Sequence, residues 1–399
     1  MVKEIILHLE TAQEDRALTL EELDLLRRLK LRSIGLALIE KARIRQRSRL
    51  TYIRFGDANT KFFQLRANSR SRKNYIHCLQ TEEGLAFTHD DKEKIITDHF
   101  RQHLGTTIGR PATFNWSSLG YQAHDLSSLE EPLSQQEIKD TIDSMPTDKA
   151  PGPDGFTRIF FKECWEIIKD DLTAAFNQLH NLNAQGFDLL NLANIFLLPK
   201  KLDAIKVGDY RPISLILSIA KNFSKLLANR LAPHLNKLVS KCQSAFIKHR
   251  CIQDNFLYIQ NTVRRFQKMK IPALFMKLDI QKAIDTVNWS YMLEVMQALG
   301  FGPKWREWIS ILFGTATSRA LLNGRQGSSF THMRGVRQGD PLSPMLFILA
   351  IDPLQKILDL AMQHGILKPL ALTTAKLRTS LYADDAAIFL NPNRQDFKQ

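Results

Sequence analysis

The sequence of 399 residues lacks the features that direct a chain to a membrane or to an oxidising compartment. No apolar run approaches the roughly 20 residues of a membrane span, and the charged start MVKEIILHLE has too short an apolar part for a secretory signal. The four cysteines, Cys78, Cys164, Cys242 and Cys251, show none of the two-residue spacings of zinc or redox sites. We therefore expect an intracellular protein with reduced thiols and no membrane association.

Acidic residues are scarce relative to basic ones. The chain carries 55 Lys and Arg against 41 Asp and Glu, a formal net charge of +14. Such an excess is typical of proteins that bind nucleic acid or another polyanion, although charge alone leaves a merely basic soluble protein open. The apolar fraction of 44% is sufficient for a core, and the length predicts two or three modules.

The basic charge is concentrated between Lys41 and Lys73, where eleven Lys or Arg accompany a single acid, Asp57, and four aromatic residues are interleaved. Cations neutralise phosphates and aromatic faces stack on bases, so the pattern predicts a nucleic-acid contact. A solvated basic surface is the alternative. The candidate contacts are Arg43, Arg45, Arg47, Arg49, Lys61, Arg66, Arg70, Arg72 and Lys73.

Helical and strand patterns alternate irregularly along the chain. Capping boxes at Thr19 and Ser134 predict helix starts, and Asn323-Gly324 predicts a hairpin turn. The mixture of helices and hairpins, without regular βα units, indicates an α+β fold. Predicted helices cover residues 17–50, 134–145, 158–182, 217–238 and 344–363, and predicted strands cover 192–199, 273–280 and the two arms of LRTSLY-ADD-AAIFL.

Asp384 and Asp385 lie between the apolar arms of the last predicted hairpin. Two carboxylates about 4 Å apart repel by roughly 4 kcal/mol at an effective dielectric constant near 20, and a divalent cation such as Mg²⁺ removes that penalty. Asp279 ends the strand ALFMKL and would complete a three-carboxylate cluster for two metal ions if the strands are neighbours. Solvated turn residues are the alternative, because sequence spacing does not show that the strands are adjacent.

Eight segments resemble, in order, those of non-LTR (LINE-type) retrotransposon reverse transcriptases. The segment KLDIQKAIDTVNW, Lys277 to Trp289, resembles the first palm motif of that family. The segments RGVRQGDPLSP (334–344) and YADD (382–385) resemble the next two palm motifs. The others are GDANTKFF (56–63), which resembles a segment of plant-type elements, KAPGPDG (149–155), YRPISL (210–215), LANR (227–230) and QSAF (243–246).

The resemblance implies the fingers and palm of a right-hand polymerase, with a mixed or antiparallel palm sheet behind a basic helical segment. It implies RNA template, DNA primer, deoxynucleoside triphosphates (dNTPs) and two Mg²⁺ ions, which Mn²⁺ can replace. For a functional element the expected location is the nucleus. The expected divisions are residues 1–75, a helical basic linker; 76–133, an extension and loop-rich linker; 134–265, the fingers; and 266–399, the palm.

The resemblance implies a role for each residue that occupies the matching position of a family motif. Asp279 and Asp384 would bridge the metal ions, with Asp385 as supporting carboxylate and the Ile280 carbonyl reaching one ion. Gln338 and Gly339 would shape the nucleotide pocket. Arg211, with Lys200 or Lys201, would hold the triphosphate; the alternatives are a turn residue before Pro212 and a solvated lysine pair after Pro199. Ile284 would lie below the sugar, and a core position is its alternative. Lys149 would lie near the template, where a purely structural turn is an equal alternative.

The sequence departs from the family pattern in two respects. Residue 284 is Ile where the family usually has a Phe that excludes a 2′-hydroxyl, so selectivity for deoxynucleotides is in doubt. The family continues into a thumb beyond the YADD motif and has an endonuclease before this region, whereas this sequence ends fourteen residues after Asp385. We therefore expect the chain alone to be a poor or inactive polymerase. The alternative function is that of an inactive retrotransposon relic that only binds RNA.

Overall fold

The computed structural model describes residues 2–48, 61–82, 84–107, 109–110, 112–147, 149–280, 282–370 and 378–392. The chain divides into two compact units, Met1–Ile76 and His77–Gln399. Across the described ranges, no helix combines the length and apolar character needed to cross a membrane.

The first unit consists of helices. They are α1 (Val2–Asp15), α2 (Leu20–Ser48) and α3 (Lys61–Asn74). The predicted capping box is present at the start of α2: the Thr19 N–H donates to Glu22 Oε2 at 2.9 Å, and the Glu22 N–H donates to Thr19 Oγ1 at 3.3 Å. These reciprocal bonds satisfy amides that a helix start leaves unpaired. Helix α1 was not predicted.

The second unit contains twelve α-helices within its described residues. They are α4 (His89–Leu104), α5 (Gln135–Ser144), α6 (Arg158–Glu163), α7 (Trp165–His180), α8 (Phe187–Leu190), α9 (Ser218–Leu231), α10 (Leu235–Leu238), α11 (Ile252–Lys268), α12 (Trp289–Leu299), α13 (Pro303–Gly314), α14 (Ser343–Ile351) and α15 (Pro353–Gln363).

Three segments predicted as single helices are each divided in two. The 217–238 segment is interrupted by a short 3₁₀ turn that contains Pro233, and the 344–363 segment breaks before Pro353. Proline lacks the amide hydrogen that continues a helix and favours its first turn. The 158–182 segment breaks at Cys164, whose φ of −95° and ψ of 10° end α6 before α7 begins.

The described residues of the second unit form nine strands. They are β1 (Leu79–Gln80), β2 (Leu85–Ala86), β3 (Leu192–Pro199), β4 (Tyr210–Ile216), β5 (Leu274–Asp279), β6 (Thr317–Leu322), β7 (Arg325–Thr331), β8 (Thr379–Tyr382) and β9 (Asp385–Leu390). The predictions for 192–199, 273–280 and the last hairpin are confirmed, whereas β1, β2 and β4 were not predicted. Together with the helices, these sheets make an α+β fold, as predicted.

One sheet of four strands has the order β4-β3-β6-β7. Strands β3 and β4 pair antiparallel, whereas β3 and β6 pair in parallel, with Leu192 opposite Thr317. The β6–β7 turn is Asn323-Gly324, as predicted, and both residues have positive φ, 49° and 91°. Two-residue hairpin turns of this kind match the twist of the flanking strands.

A second sheet has the order β5-β9-β8, and both of its pairings are antiparallel. Along β5 half-buried and exposed residues alternate. Successive side chains of a strand point to opposite faces, so Phe275, Lys277 and Asp279 share the exposed face. Lys277, which interrupts an otherwise apolar run, thus lies on the open face of the strand.

The main core of the second unit lies among its helices. Phe176 of α7, Phe223 of α9, and Trp305 and Trp308 of α13 are all fully buried there. These large side chains exclude much apolar surface from water, at roughly 25 cal/mol per Å². The core thus fixes the helices that flank both sheets.

The LANR segment has a structural role in this core. The guanidinium of Arg230 donates to both carboxylate oxygens of Glu137, at 2.6 and 2.8 Å. It also donates to the carbonyls of Leu129, Glu131 and Pro132, at 2.9, 2.7 and 3.1 Å. Its side chain is only 10% exposed. Arg230 therefore connects α9 to the segment that leads into α5. Its hydrogen bonds occupy the Glu137 carboxylate, which is the side chain that would complete the capping box at Ser134.

Candidate active site

The acidic hairpin places two of the predicted carboxylates at one end of the second sheet. Strands β8 and β9 pair Tyr382 with Asp385 across the two-residue turn Ala383-Asp384. Asp279, the last residue of β5, lies directly opposite Asp385 on β9. Opposed residues of antiparallel strands have Cα atoms about 4.5–5.5 Å apart and side chains on the same face. The structure therefore brings the Asp279 strand and the acidic hairpin together.

Lys277 shares this face. Its Nζ lies 3.0 Å from Asp385 Oδ1, and both side chains are more than half exposed. The hydrogen bond to Asp385 raises the pKa of Lys277 above its ordinary value, and the negative charges of Asp385 and Asp279 act in the same direction. One carboxylate of the predicted trio is thus paired with an ammonium group.

The donor chemistry of this end of the sheet suits a divalent cation. Asp279 and Asp385 offer hard carboxylate oxygens on one exposed face, and Asp384 lies in the adjoining turn. Within the described part of the chain, no three Asp, Glu, His or Cys side chains converge as a complete ligand set. The carbonyl of Ile280 accepts a hydrogen bond from the Ala283 N–H at 3.2 Å. The residues therefore fit Mg²⁺ in chemistry and in strand placement, without a closed three-carboxylate cage.

The Gln338-Gly339 loop lies against β4. The Ser214 N–H donates to the Gln338 carbonyl at 2.7 Å. Gly339 has a φ of 111°, and a Cβ at this position would lie 2.7 Å from the Ser214 carbonyl oxygen. Only glycine accommodates both the conformation and this close approach. The Gln338 side-chain amide donates to Asp285 Oδ1 at 3.1 Å.

The same loop runs beside the segment that follows β5. The Val336 N–H donates to the Ile284 carbonyl at 3.0 Å, and the Gly335 N–H donates to the Val287 carbonyl at 2.7 Å. Ile284 is half-buried in a 3₁₀ turn and packs against the main core. The resemblance motifs around Asp279 and Gln338 are therefore hydrogen-bonded neighbours, and Ile284 lies where they meet.

A buried polar network holds this loop from behind. The Arg337 guanidinium, almost fully buried, donates to the Asn191 carbonyl at 3.0 Å and to the Asn191 side-chain oxygen. Asp340 lies 3.8 Å from Arg337 and accepts hydrogen bonds from the Ser224 hydroxyl and from the Leu342 N–H. Sequence reasoning gave no role to Arg337 or Asp340. The available signal was an acid three residues after a base, because charged groups are buried only when paired.

The predicted phosphate-binding cations lie on the β3–β4 hairpin. Arg211 on β4 is opposite Leu198 and is exposed. Lys201 Nζ lies 2.9 Å from Asp209 Oδ1, and this contact lowers the pKa of Asp209. Lys200 instead donates to the Gly208 carbonyl at 3.0 Å.

Lys200 also acts electrostatically on Asp285, the carboxylate that Gln338 contacts. Burial raises the pKa of Asp285, and the positive charges of Lys282, His103 and Lys200 partly oppose that shift. Lys200 is therefore close enough to act on the carboxylate that Gln338 contacts. Of the two lysines left open by the sequence, Lys201 is paired with Asp209, whereas Lys200 donates to a backbone carbonyl.

Helix α4 borders the same region and was missed by sequence reasoning. His99 and His103 stack with ring centroids 4.1 Å apart, and Arg334 Nε donates to the His103 carbonyl at 2.6 Å. The available signal was Thr88 at the helix start, whose side chain accepts from the Asp91 N–H at 3.2 Å. Helix α4, which falls in the proposed 76–133 extension, therefore contacts the segment that leads into the Gln338 loop.

The KAPGPDG turn is held by protein contacts. Asp154 Oδ2 accepts from the Ser218 N–H at 2.7 Å, at the start of α9. A Cβ at Gly152 would lie 2.2 Å from the Ile216 carbonyl oxygen. These contacts favour the structural alternative for the turn. Lys149 itself is exposed, and its template contact stays a prediction.

The basic segment is only partly described. Arg43, Arg45 and Arg47 lie in α2, with Arg43 exposed, whereas Arg49 lies outside the described residues. Helix α3 buries a single side chain, Phe63. Its basic residues are all exposed: Lys61, Arg66, Arg70, Arg72 and Lys73. A helix that is polar on nearly all sides presents these cations to solvent or to a polyanion.

Comparison with known proteins agrees with these motifs. The model of the family "Reverse transcriptase (RNA-dependent DNA polymerase)" matches residues 198–399. Among similar proteins, the transposon TX1 uncharacterized 149 kDa protein of Xenopus laevis is 28% identical over 388 residues, 95% of this chain and 29% of that protein. The Pol polyprotein of the type-1 retrotransposable element R2 of Nasonia vitripennis is 27% identical over 265 residues, 66% of this chain and 24% of that protein.

A third relative is the Pol polyprotein of the type-2 retrotransposable element R2DM of Drosophila melanogaster. It is 28% identical over 272 residues, 67% of this chain and 24% of that protein. The chain thus spans less than a third of the length of each of these relatives. The family model covers more than half of the chain and includes all three aspartates. The chain belongs to the reverse transcriptase family and is similar to the proteins of non-LTR retrotransposable elements.

Proposed function

We propose that this chain is the part of an RNA-directed DNA polymerase that adds deoxynucleotides to a DNA 3′-hydroxyl on an RNA template. The observation that carries the proposal is the register that sets Asp279 opposite Asp385 at the turn of the acidic hairpin. Five residues beyond Asp279, Ile284 is hydrogen-bonded to the Gln338 loop. Carboxylates that can hold two divalent ions supply what two-metal nucleotidyl transfer uses.

In this proposal, Asp279 and Asp384 would hold two Mg²⁺ ions, with Asp385 and the Ile280 carbonyl as additional ligands. Bound divalent ions lower the pKa of the attacking hydroxyl and stabilise the leaving pyrophosphate, and Mn²⁺ offers similar chemistry to oxygen ligands. The chain's own contribution is to keep these carboxylates on one exposed face of the sheet. Lys277 would have to leave Asp385, which an exposed pair permits at little cost.

The incoming dNTP would lie between the Gln338 loop and the β3–β4 hairpin. Lys200 and Arg211 would contact the triphosphate, as a point charge and as a planar fork. Lys201 is the weaker candidate because Asp209 already neutralises it. Gln338 and Gly339 would form the base and sugar side of the pocket. Ile284, half-buried under the loop, would meet the sugar with a smaller surface than an aromatic ring.

The basic residues of α2 and α3 would bind RNA, and Lys149 is a further candidate for the template. We propose that residues 134–265 function as the fingers and residues 266–399 as the palm. The four-stranded sheet joins strands from both sides of this boundary. A protein that copies RNA into a DNA target works where that DNA is, so the nucleus is the proposed location. A relic without turnover is not favoured, because the three aspartates and the Gln338 loop are all retained.

Primer extension on an RNA template with Mg²⁺ tests this function. We expect the wild type to incorporate dNTPs. If the turnover of this chain alone is too low to detect, we expect Mn²⁺ binding, measured by electron paramagnetic resonance, instead. Asp279→Asn and Asp384→Asn should abolish both, whereas Asp188→Asn, a change at an exposed residue of α8, should abolish neither. A wild type that neither incorporates dNTPs nor binds Mn²⁺ would contradict the proposal.

A further inference from the structure

Gln243 contacts the turn of the acidic hairpin from a site more than a hundred residues earlier in the chain. Its Oε1 accepts a hydrogen bond from the Ala383 N–H at 3.0 Å, and its Nε2 donates to the Ala383 carbonyl at 3.3 Å. Oε1 also accepts from the Ala245 N–H at 2.9 Å. Gln243 is fully buried. One side chain therefore satisfies both backbone groups of the residue between Tyr382 and Asp384.

This turn needs such a partner. Ala383 has a φ of 52°, a left-handed conformation that is unfavourable for residues other than glycine. The turn also carries Asp384 next to Asp385, opposite Asp279; Lys277 pairs with Asp385, and the remaining like charges favour a wider spacing until a divalent cation binds. Two hydrogen bonds to Ala383 from a buried amide oppose both tendencies, because leaving buried backbone groups unpaired is costly.

The main chain around Gln243 supports the contact. We call residues 239–245 the Gln243 segment. It forms a parallel bridge to Leu381: the Leu381 N–H donates to the Cys242 carbonyl at 2.8 Å, and the Ser244 N–H donates to the Leu381 carbonyl at 3.1 Å. The Asn255 side chain donates to the same Leu381 carbonyl at 2.7 Å. The segment thus extends the sheet beside β8, at the turn.

Two charged side chains fix the Gln243 segment in turn. Arg250 donates to the carbonyls of Ser240 and Gln243, both at 2.7 Å. Asp352, buried at the junction of α14 and α15, accepts from the Ser240 N–H at 2.7 Å. The amide of Gln243 is therefore presented by a rigid support rather than by a free loop.

We propose that Gln243 is a positioning residue, which holds the Ala383-Asp384 turn so that the carboxylates of Asp279, Asp384 and Asp385 are preorganised for divalent cations. The metal-binding part of this inference rests on the proposed function, whereas the structural part does not. The substitution of a preorganising contact lowers ligand affinity because the free protein must then be reordered on binding.

Hydrogen exchange of the 381–390 peptide and Mn²⁺ affinity measured by electron paramagnetic resonance test the role together. Gln243→Met keeps the side-chain length and removes all three hydrogen bonds. We expect faster exchange of the turn amides and Mn²⁺ binding weaker by about tenfold. Gln243→Glu keeps the acceptor for Ala383 and Ala245 but sets a second acceptor against the Ala383 carbonyl, so its turn exchange should lie between those of wild type and Gln243→Met.

Gln355→Met is the matched control. Gln355 is also buried, and it contacts Thr379 at the opposite end of β8. The Gln355→Met variant should have a lower melting temperature but unchanged Mn²⁺ affinity and unchanged hydrogen exchange of the turn. Equal effects of Gln243→Met and Gln355→Met, or unchanged turn exchange in Gln243→Met, would overturn the positioning role. A wild type that binds no Mn²⁺ would contradict the polymerase proposal instead, and turn exchange would still decide the role of Gln243.

Discussion

Gln338 donates a hydrogen bond from its side-chain amide to Asp285, with 3.1 Å between Nε2 and Oδ1. The carboxylate is half-buried, and its burial raises the pKa of Asp285. The Asp285 carboxylate therefore fixes the orientation of the Gln338 side chain before a nucleotide binds. The contact also joins the motif that contains Asp279 to the motif that contains Gly339.

Loss of this acceptor should weaken nucleotide binding. We expect Asp285→Leu to raise the dNTP dissociation constant by about tenfold, since an unpaired amide costs on the order of 1–3 kcal/mol. Asp285→Asn retains an oxygen acceptor and should stay within about threefold of wild type. Titration with a fluorescent dNTP analogue measures both variants. Equal affinities for the Leu and Asn variants would show that the hydrogen bond to Gln338 does not matter for binding.

Arg230 should be a major contributor to the stability of the second unit. Arg230→Ala leaves Glu137 and three carbonyls without their partner, and we expect a loss of about 3 kcal/mol in the free energy of unfolding. Lys169→Ala is the control, because the Lys169–Glu166 pair is exposed on α7 and such pairs contribute little. Urea denaturation gives both values. Similar midpoints for the two variants would contradict the assignment.

His332 should make folding sensitive to acid. It is buried, with Nε2 2.7 Å from the Ser318 hydroxyl, and burial lowers its pKa to about 3, assisted by the charge of Arg337. The folded protein keeps this imidazole neutral, whereas the unfolded chain protonates it near pH 6.5. The stabilisation is therefore complete above pH 6.5 and is lost by about 1.4 kcal/mol per pH unit as the pH falls from 6.5 toward 3.

His332→Gln should flatten this dependence. Melting temperatures between pH 4 and 7.5 would show a smaller decline for the variant than for the wild type. His364→Gln, at an exposed histidine of the same unit, should leave the decline unchanged. If His332→Gln and wild type lost stability in parallel, the buried imidazole would not be the origin of the acid sensitivity.

The cations of α3 should determine the salt dependence of RNA binding. Arg66, Arg70 and Lys73 recur at helical spacing, so they lie on one face. Replacement of all three by Gln should reduce the slope of log K against log salt concentration by about 2, because each phosphate contact to a single strand contributes roughly 0.7. Filter binding from low to moderate salt measures the slope.

A control triple removes the same net charge from the same unit. Arg16, Arg28 and Lys30 are each paired with an acid, at 2.6, 2.6 and 2.7 Å. Their replacement by Gln should change the slope little. Identical slopes for the two triple variants would mean that overall charge, rather than α3, binds the RNA.

Local features of the fold could be predicted from the sequence, and long-range features could not. The strand 192–199, the Asn323-Gly324 turn and the Thr19 capping box depend on neighbouring residues, and each was predicted at the position where the structure has it. The divided helices at Pro233 and Pro353 were missed because apolar periodicity continued across them. Proline interrupts the backbone hydrogen-bond ladder whatever the apolar pattern around it, so these two breaks had a local signal in the sequence.

In the candidate site, too, local motifs could be predicted from the sequence and long-range contacts could not. The residues Asp279, Asp384 and Asp385 followed from motif resemblance, but the register that sets Asp279 opposite Asp385 is a tertiary fact. Arg337 and Gln243 were part of quoted motifs and received no role, because their partners at Asn191 and Ala383 are far away in sequence. Hydrogen bonds between distant segments leave no spacing that a single sequence reveals.

The parallel pairing of β3 with β6 has a consequence for synthesis of the chain. During synthesis, the edge of β3 that pairs with β6 stays uncovered until Thr317, more than a hundred residues after Leu192, has been made. Loops of this length close slowly, and an uncovered strand edge can recruit other chains. A ribosome that has made only the segment up to β5 therefore displays an open apolar edge. Protection of that edge by chaperones during translation would then govern how much of the protein reaches the folded state.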